Sequence, residues 1–227
     1  MSPLIDLDFV HDILPLLAWG LVRTLEATAL GALLALVLGF LLFLALSAKS
    51  RFTRRTSRFL QGFVQSTPLL VQLYCAYFLL PQIGLHLAPI AAGSLVLGLH
   101  YSCFAAEVFR AGRAAVPSGQ VETASALGLR PRQTMRLVIV PQMLPVVVPG
   151  LGNTLIALFK ETPSLSAITV AELMFTARII GAENFRYLEP MSLCGLIYFA
   201  VSLVLAASLS LLENRLRWAR LHRSLGR

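Results

Sequence analysis

The sequence predicts an all-α polytopic membrane protein of five transmembrane helices with one long cytoplasmic loop, and three observations carry that expectation. Of its 227 residues, 57% are hydrophobic, and a mean hydropathy of +0.76 exceeds what a soluble core of this size can bury. The apolar residues fall in separate stretches of about 20, the helical length that crosses the hydrocarbon of a bilayer. The basic residues are sorted into alternate loops, as the positive-inside rule requires.

At the N-terminus, Asp6, Asp8 and Asp12 stand where a cleavable signal would carry basic residues, so this end is expected to stay on the chain and outside the cell. Leu14, Leu17, Leu21 and Leu25 follow at helical spacing, with Arg23 and Glu26 among them. Two readings are open for this lead-in: an interfacial amphipathic helix, or an extension of the first span. The first span runs from Ala27 to Leu46, and Gly31, Ala35 and Gly39 give it a ridge of small residues for close packing. Phe59 to Leu80 is the second. Within it, Pro68 either interrupts the helix, freeing carbonyls that need protein cover or a cavity, or lies in the first turn of a helix starting there. Pro89 to Phe109 is the third span and Val138 to Phe159 the fourth, with Asn153 in mid-span suited to interhelical hydrogen bonding. The segment from Glu161 to Glu189 is too polar to cross and too apolar around Ile168 to Val170 to lie free in water, which predicts short helices on the outer face. Met191 to Leu212 completes the five.

Of 19 basic residues, fifteen lie in three places. Lys49, Arg51, Arg54, Arg55 and Arg58 follow the first span; Arg110, Arg113, Arg130, Arg132 and Arg136 follow the third; Arg215, Arg217, Arg220, Arg223 and Arg227 follow the fifth. The short turn from Pro81 to Ala88 has none. The N-terminus is therefore expected outside and the C-terminus in the cytoplasm. The chain divides into an outer lead-in over 1–26, a transmembrane domain over 27–212 containing the loop 110–141, and a basic tail over 213–227. The net charge of +8 is explained by topology, without nucleic acid.

Catalysis and metal binding have little support. Cys75, Cys103 and Cys194 fall one to a span with no CxxC pair, and His11, His86, His100 and His222 are scattered. The two lysines, Lys49 and Lys160, are in no phosphate-binding glycine motif, and neither GxSxG nor HExxH occurs. Any ATP chemistry has to be borrowed from another chain.

The loop is the most informative segment. Val121 to Leu127 is rich in helix formers, with Val121, Ala124 and Leu127 at i, i+3 and i+6; Gly128 can take the left-handed conformation that stops a helix. Pro131 suits the first turn of a second helix, and Gln133 to Val140 leads back toward the membrane. Helix, tight corner and helix make a surface shaped to be gripped. Elsewhere, ionisable residues at membrane depth are costly and mark a pathway or a partner, which singles out Lys160 and Glu161 at the end of the fourth span. The alternative is that both reach the interface along their own stems. Ser66, Thr67 and Gln72 could line the same pathway from the second span. Glu107 and Arg110, three apart, can touch on one helix face, and a structural pair or a headgroup contact is the expectation there.

At Glu122, Ala124, Gly128 and Pro141 the loop resembles the cytoplasmic signature of permease subunits of ATP-binding-cassette (ABC) importers: Glu-Ala-Ala, three residues, Gly, nine residues, Ile-x-Leu-Pro. Thr123 replaces the middle Ala, while Val138 and Val140 replace Ile and Leu. The chain is most similar to the polar amino-acid branch, through Ser66-Thr67-Pro68-Leu69-Leu70-Val71-Gln72, Ala106 to Gly112, Val116 to Gln120, and Phe159-Lys160-Glu161-Thr162. Gly98 to Ser102, Thr162 to Val170 and Phe185 to Pro190 look similar to ectoine and hydroxyectoine permeases. The resemblance implies a type I importer permease fold in a bacterial inner membrane and half of a pathway completed by a second permease subunit. It implies a cytoplasmic ATPase dimer that uses ATP and Mg, an outer solute-binding protein, and no cofactor held by this chain. Glu122, Thr123, Ala124, Gly128 and Pro141 would couple to the ATPase. The contrasting possibility is an ATP-independent secondary transporter or channel subunit, for which five spans are few and no internal repeat is visible.

Overall fold

The computed structural model describes residues 6–225, with side chains described through Asn214. The described residues are helical, without strands. Helix α1 (Leu7–Leu46) begins on Asp6, whose carboxylate accepts the backbone N–H groups of Asp8 and Phe9 at 3.1 and 3.3 Å. Its 40 residues run about 60 Å, so lead-in and first span are one continuous helix, with an Arg23–Glu26 ion pair of 2.7 Å on its flank. The face it buries is Ile13, Leu17, Gly20, Thr24, Ala27, Gly31, Ala35 and Gly39, stepping by three or four as a helix requires. Of the four leucines in the lead-in, Leu17 is fully buried while Leu14 and Leu25 point away, each 43% exposed.

The small residues of that face lie against α4 (Pro89–Ala114). A Cβ added at Gly39 would stand 2.7 Å from the Ala105 Cβ and 2.8 Å from the Ser102 carbonyl oxygen, and one at Gly98 would stand 2.4 Å from the Leu34 Cβ. Lipid tails are as apolar as leucine, so helices in a bilayer gain by approaching closely rather than by hiding from water. The expected ridge of Gly31, Ala35 and Gly39 is this contact.

The second span is not one helix. Helix α2 (Arg51–Ser66) ends at Thr67, and α3 (Leu69–Tyr74) begins after Pro68 at a bend of 102°. Thr67 has the extended conformation (φ −99°, ψ 129°) that sterics impose on a residue before proline. Both readings of Pro68 hold in part, since the segment ends one helix and caps the next. Helix α3 continues through a π turn (Cys75–Leu79) and a 3-10 turn (Leu80–Ile83) to Gly84.

After α4, the loop holds α5 (Ser118–Ala126) and α6 (Pro131–Thr134); a second π turn (Met135–Ile139) leads into α7 (Val140–Glu161). Each π turn stops two residues short of a proline, Pro81 or Pro141. A proline lacks an N–H and its ring crowds the carbonyl four residues back, so the helix widens ahead of it. Among the described residues, four helices are long and apolar enough to cross a membrane, and five spans result if the bent α2–α3 pair is counted as one.

The outer segment expected as short helices is a 3-10 turn (Thr162–Ile168) followed by α8 (Leu173–Asn184). It is stitched to the spans by buried polar groups. Glu172 is fully buried and caps α8, accepting the N–H groups of Met174 (2.8 Å) and Phe175 (2.6 Å) and the Tyr198 hydroxyl (2.8 Å). Tyr198 also lies 3.1 Å from the Thr162 hydroxyl, and Thr24 of α1 accepts the Leu173 N–H at 3.0 Å. Burial pushes the Glu172 carboxyl above its ordinary range, against the three hydrogen bonds that favour the charged form. Helix α9 (Leu188–Leu225) closes the bundle. At its start Arg186 donates to Asp6 at 3.1 Å and to Glu189, with its guanidinium 4.3 Å over the Phe9 ring. The hydrogen bond from Arg186 holds the Asp6 carboxyl below the usual carboxylate range. The side chains of Arg215, Arg217, Arg220 and Arg223, and Arg227 itself, lie outside the described residues, as do residues 1–5.

A Cβ at Gly39 would stand under 3.0 Å from both the Ala105 Cβ and the Ser102 carbonyl oxygen, whereas one at Gly31 would come no closer than 3.2 Å to any neighbour, so the two glycines should respond differently. Gly39→Val is expected to lower stability by about 1–3 kcal/mol through overpacking, and Gly31→Ala by much less. Thermal unfolding of the detergent-purified protein checks this, and equal losses would contradict the close α1–α4 approach.

Candidate functional site

The loop folds into an elbow whose corner can be followed bond by bond. Helix α5 closes with the Gly128 N–H on the Ser125 carbonyl (3.0 Å) and the Leu129 N–H on the Ala124 carbonyl (3.1 Å), with Gly128 left-handed at φ +73°. That pair of bonds is the Schellman ending of a helix, and glycine is the residue that adopts it without strain. The next helix starts at once: Pro131 takes the first position, and Gln133 reaches back to accept the Arg130 N–H at 2.8 Å. Ala124 is buried against the rest of the chain, whereas Glu122, Thr123, Ser125 and Ala126 are exposed. Leu127, expected on the side of Val121 and Ala124, is 75% exposed. A residue six positions on is rotated about 120° from the first, so those three never formed one face. Pro141, half-buried, sits in the first turn of α7, and no chain break separates α6 from it. A Cβ at Gly128 would meet nothing within 4 Å. The corner presents bare backbone to the outside.

A second cluster forms where α3, α4 and the end of α7 meet. Gln72 donates to the carbonyls of Val64 (2.8 Å) and Thr67 (2.9 Å) across the proline break, and the same nitrogen lies 3.2 Å from His100 Nδ1. Thr67 turns its hydroxyl onto the Phe63 carbonyl at 2.7 Å. Both residues are thus spent on repairing the break, and Ser66 is left exposed. Glu161 accepts the Ser164 hydroxyl at 2.9 Å and acts electrostatically on His100 and Tyr101. Lys160, its neighbour, is exposed and forms neither a hydrogen bond nor an ion pair among the described residues. The two point apart, as adjacent helical residues do. Of the residues singled out in the sequence, the structure brings Gln72 into contact with His100, keeps the Glu161 charge within electrostatic reach of that ring, and leaves Lys160 and Ser66 exposed. His100 and Tyr101 were the omission. The rule that an ionisable group at membrane depth marks a pathway applied to His100 as well as to Glu161.

The structure also places Glu107 and Asn153. Glu107 does not pair with Arg110; its carboxylate accepts from Gln61 and Gln65 of α2, each at 3.0 Å. Asn153 is exposed on α7, with no hydrogen-bond partner among the described residues.

A bundle of four straight spans and one bent pair, with a helical elbow between the third and fourth crossing, defines a membrane transport component of the importer permease type. Residues 31–218 match the family described as the binding-protein-dependent transport system inner membrane component, and the chain belongs to that family. A probable amino-acid ABC transporter permease protein, y4tG, of Sinorhizobium fredii is 38% identical over 211 residues, covering 93% of this chain and 91% of the relative. The arginine transport system permease protein ArtQ of Bacillus subtilis is 33% identical over 215 residues, covering 93% and 98%. Among solved structures, a chain of an amino acid ABC transporter crystallised with histidines superposes with a TM-score of 0.87 at 34% identity, covering 93% of this chain and 99% of that one. The chain is therefore a multi-pass inner-membrane component that works with a separate ATPase and a binding protein, and is not itself an enzyme.

Gln72→Leu removes the donor shared by the Val64 and Thr67 carbonyls. It is expected to cost about 0.5–1.5 kcal/mol, the net worth of part-buried hydrogen bonds, and to loosen the bend. Ser66→Ala should change little. Thermal unfolding together with limited proteolysis across 60–70 separates the two.

Proposed function

We propose that this chain forms half of the transmembrane pathway of an ABC importer for a polar amino acid or a similar zwitterion, and that the elbow α5–α6 receives the work of ATP hydrolysis. One observation carries the reading. At its corner the elbow is closed by its own backbone hydrogen bonds, yet it leaves Glu122, Thr123 and the open space over Gly128 facing outward. A stiff, shallow corner of this kind suits the groove of a partner that must push on it. Ala124 holds α5 from behind, and Pro141 sits where the elbow continues into α7.

In this reading the loop lies in the cytoplasm with the C-terminus and the N-terminus lies outside, as the basic loops favour. A second permease subunit supplies the other half, and the exposed Asn153 is suited to hydrogen-bond across that contact. ATP and Mg belong to the partner ATPase dimer. The outer-face helix α8 offers the landing place for the solute-binding protein. Family membership gives no support to an ATP-independent carrier.

For the solute, Glu161 beside His100 and Tyr101 provides an anionic contact for a nitrogen cation, and Lys160 a cationic one for a carboxylate if the second subunit or a moving backbone brings it in. Ser66 lies nearby on the exposed side of the break, while Thr67 and Gln72 shape the wall. Ectoine is one zwitterion of this charge pattern. The Phe185 to Pro190 stretch argues little for it, because Arg186 and Glu189 bind each other and Asp6. Amino acids are the broader expectation, in keeping with the relatives.

Two substitutions test the halves of this proposal separately. Gly128→Asp meets no atom of its own chain but puts a side chain on a left-handed backbone (φ +73°) and so strains the corner itself; it is expected to leave insertion intact and to cut ATP-driven uptake at least ~10-fold, a loss of about 1.4 kcal/mol in coupling. Unchanged uptake with bound ATPase would refute the elbow. Glu161→Gln is expected to raise the solute concentration for half-maximal uptake ~10-fold or more while ATPase co-purification stays as in the unmodified protein. Wild-type uptake in that variant would remove Glu161 from the pathway.

A further inference from the structure

The cytoplasmic ends of α1 and α4 and the first turns of α5 border an open cavity of about 420 Å³. Phe43, the buried Val116 and Val121 make its apolar wall, and the hydroxyl residues Ser47 and Ser118 border it. Arg110 and Arg113 line it from the last turns of α4. We infer that this cavity binds an anionic phospholipid of the inner leaflet, with its phosphate on the two guanidinium groups and its glycerol and upper chain on the apolar wall.

The charge balance is the first reason. Arg110 and Arg113 are three residues apart on one helix, so both project to one side, and among the described residues neither makes a hydrogen bond or an ion pair. The carboxylate that the sequence offers to Arg110, Glu107, is held instead by Gln61 and Gln65. Glu122 lines the same cavity but forms no ion pair with either arginine. Two like charges are therefore left together beside a mostly apolar wall, a combination that an anion stabilises. Arginine is well matched to phosphate, because its planar fork donates two parallel hydrogen bonds.

Location is the second reason. Leu46 ends the first span and Ala114 ends α4, so the cavity opens where a span meets the headgroups. There each basic side chain contributes about 1 kcal/mol of attraction to an anionic leaflet. A soluble anion would use the arginines and leave the wall of Phe43, Val116 and Val121 bare. A phospholipid uses both. Bound there, the lipid would brace the start of α5 against the membrane at the point where the elbow takes its load. This inference rests on the proposed cytoplasmic placement of the loop.

The test uses the assembled importer with its ATPase and solute-binding protein. Native mass spectrometry of the complex titrated with phosphatidylglycerol is expected to show bound lipid falling at least threefold in Arg110→Gln/Arg113→Gln and recovering to within twofold in Arg110→Lys/Arg113→Lys. Reconstituted in phosphatidylcholine vesicles with and without phosphatidylglycerol, the unmodified importer is expected to gain at least threefold in solute-stimulated ATP turnover from the anionic lipid. The Gln variant should gain less than 1.5-fold. Equal lipid binding in the Gln variant overturns the inference. So does inorganic phosphate at millimolar concentration restoring turnover in phosphatidylcholine vesicles, which would identify a free-anion site. Loss of the ATPase from the Gln variant during purification would assign the arginines to the protein partner and overturn it as well. Failure of the unmodified chain to co-purify with any ATPase would strike the proposed function instead, and lipid binding by the purified permease would then decide this inference alone.

Discussion

Inside hydrocarbon a backbone N–H or C=O has no water to bond, and that single constraint organises this chain. At several places where the helices depart from regularity, a named group returns the lost hydrogen bonds. At Pro68 the Gln72 amide serves two carbonyls and the Thr67 hydroxyl a third. Ahead of Pro81 and Pro141 the helix widens into a π turn rather than breaking. After the fourth span, Glu172 and Thr24 satisfy the first N–H groups of α8. A charged or hydroxylated residue at each of these places reads at first as a functional group, yet its bonding is structural. The consequence for the site is a process of elimination. Once Thr67, Gln72, Glu107 and Glu172 are accounted for, Glu161, His100, Lys160, Arg110 and Arg113 are among the polar residues with capacity to spare.

Helix α1 is the mast on which the rest is hung. Its lower half meets α4 through glycine and alanine, and its upper half meets α8 through Ile13, Leu17, Leu173, Ala177 and Ile180. The lower contact is backbone against backbone, and therefore stiff. The upper is an ordinary apolar cluster closed by the Arg186 clasp on Asp6 and Glu189. The Arg186–Asp6 arm of that clasp is partly exposed, and exposed ion pairs contribute little to stability, whereas the Glu189 side chain is buried; the geometric effect of the clasp is to fix where α9 begins relative to the start of α1.

Much of this was legible in the sequence because hydrocarbon imposes a length that composition reports directly. The spans, the glycine ridge, the helix–corner–helix loop and the short outer helices all follow from apolar length, small-residue spacing and the positions of Gly128 and Pro131. What stayed hidden were pairings between distant segments. Nothing in the spacing of Glu107 and Arg110 says that Gln61 and Gln65, more than forty residues earlier, take the carboxylate. Nor does it show that Pro68 turns the chain through 102° instead of kinking it. His100 escaped notice for a different reason: scanned for metal-ligand spacing it is a lone histidine, and only its nearness to Gln72 and Glu161 makes it part of a site.

The continuity of the segment from Pro131 to Ile168 bears on how the two candidate regions could communicate. It begins at the elbow, passes the π turn and Pro141, runs the length of α7 and ends one 3-10 turn beyond Glu161. No loop intervenes between the corner at Gly128 and Glu161 except the three residues before Pro131, so a displacement of the elbow is carried to Glu161 by helix. Pro145 and Pro149 within α7, at the same four-residue step that separates Pro141 from Pro145, remove hydrogen bonds along one face of that rod. A rod weakened on one side bends toward a single direction. Under the proposed function, a push at the cytoplasmic corner would therefore swing the Glu161 end along a set path relative to His100 on α4, which α1 holds still. Work delivered where there is no substrate would reach the place where the solute is held as a change in the distance between one carboxylate and one imidazole.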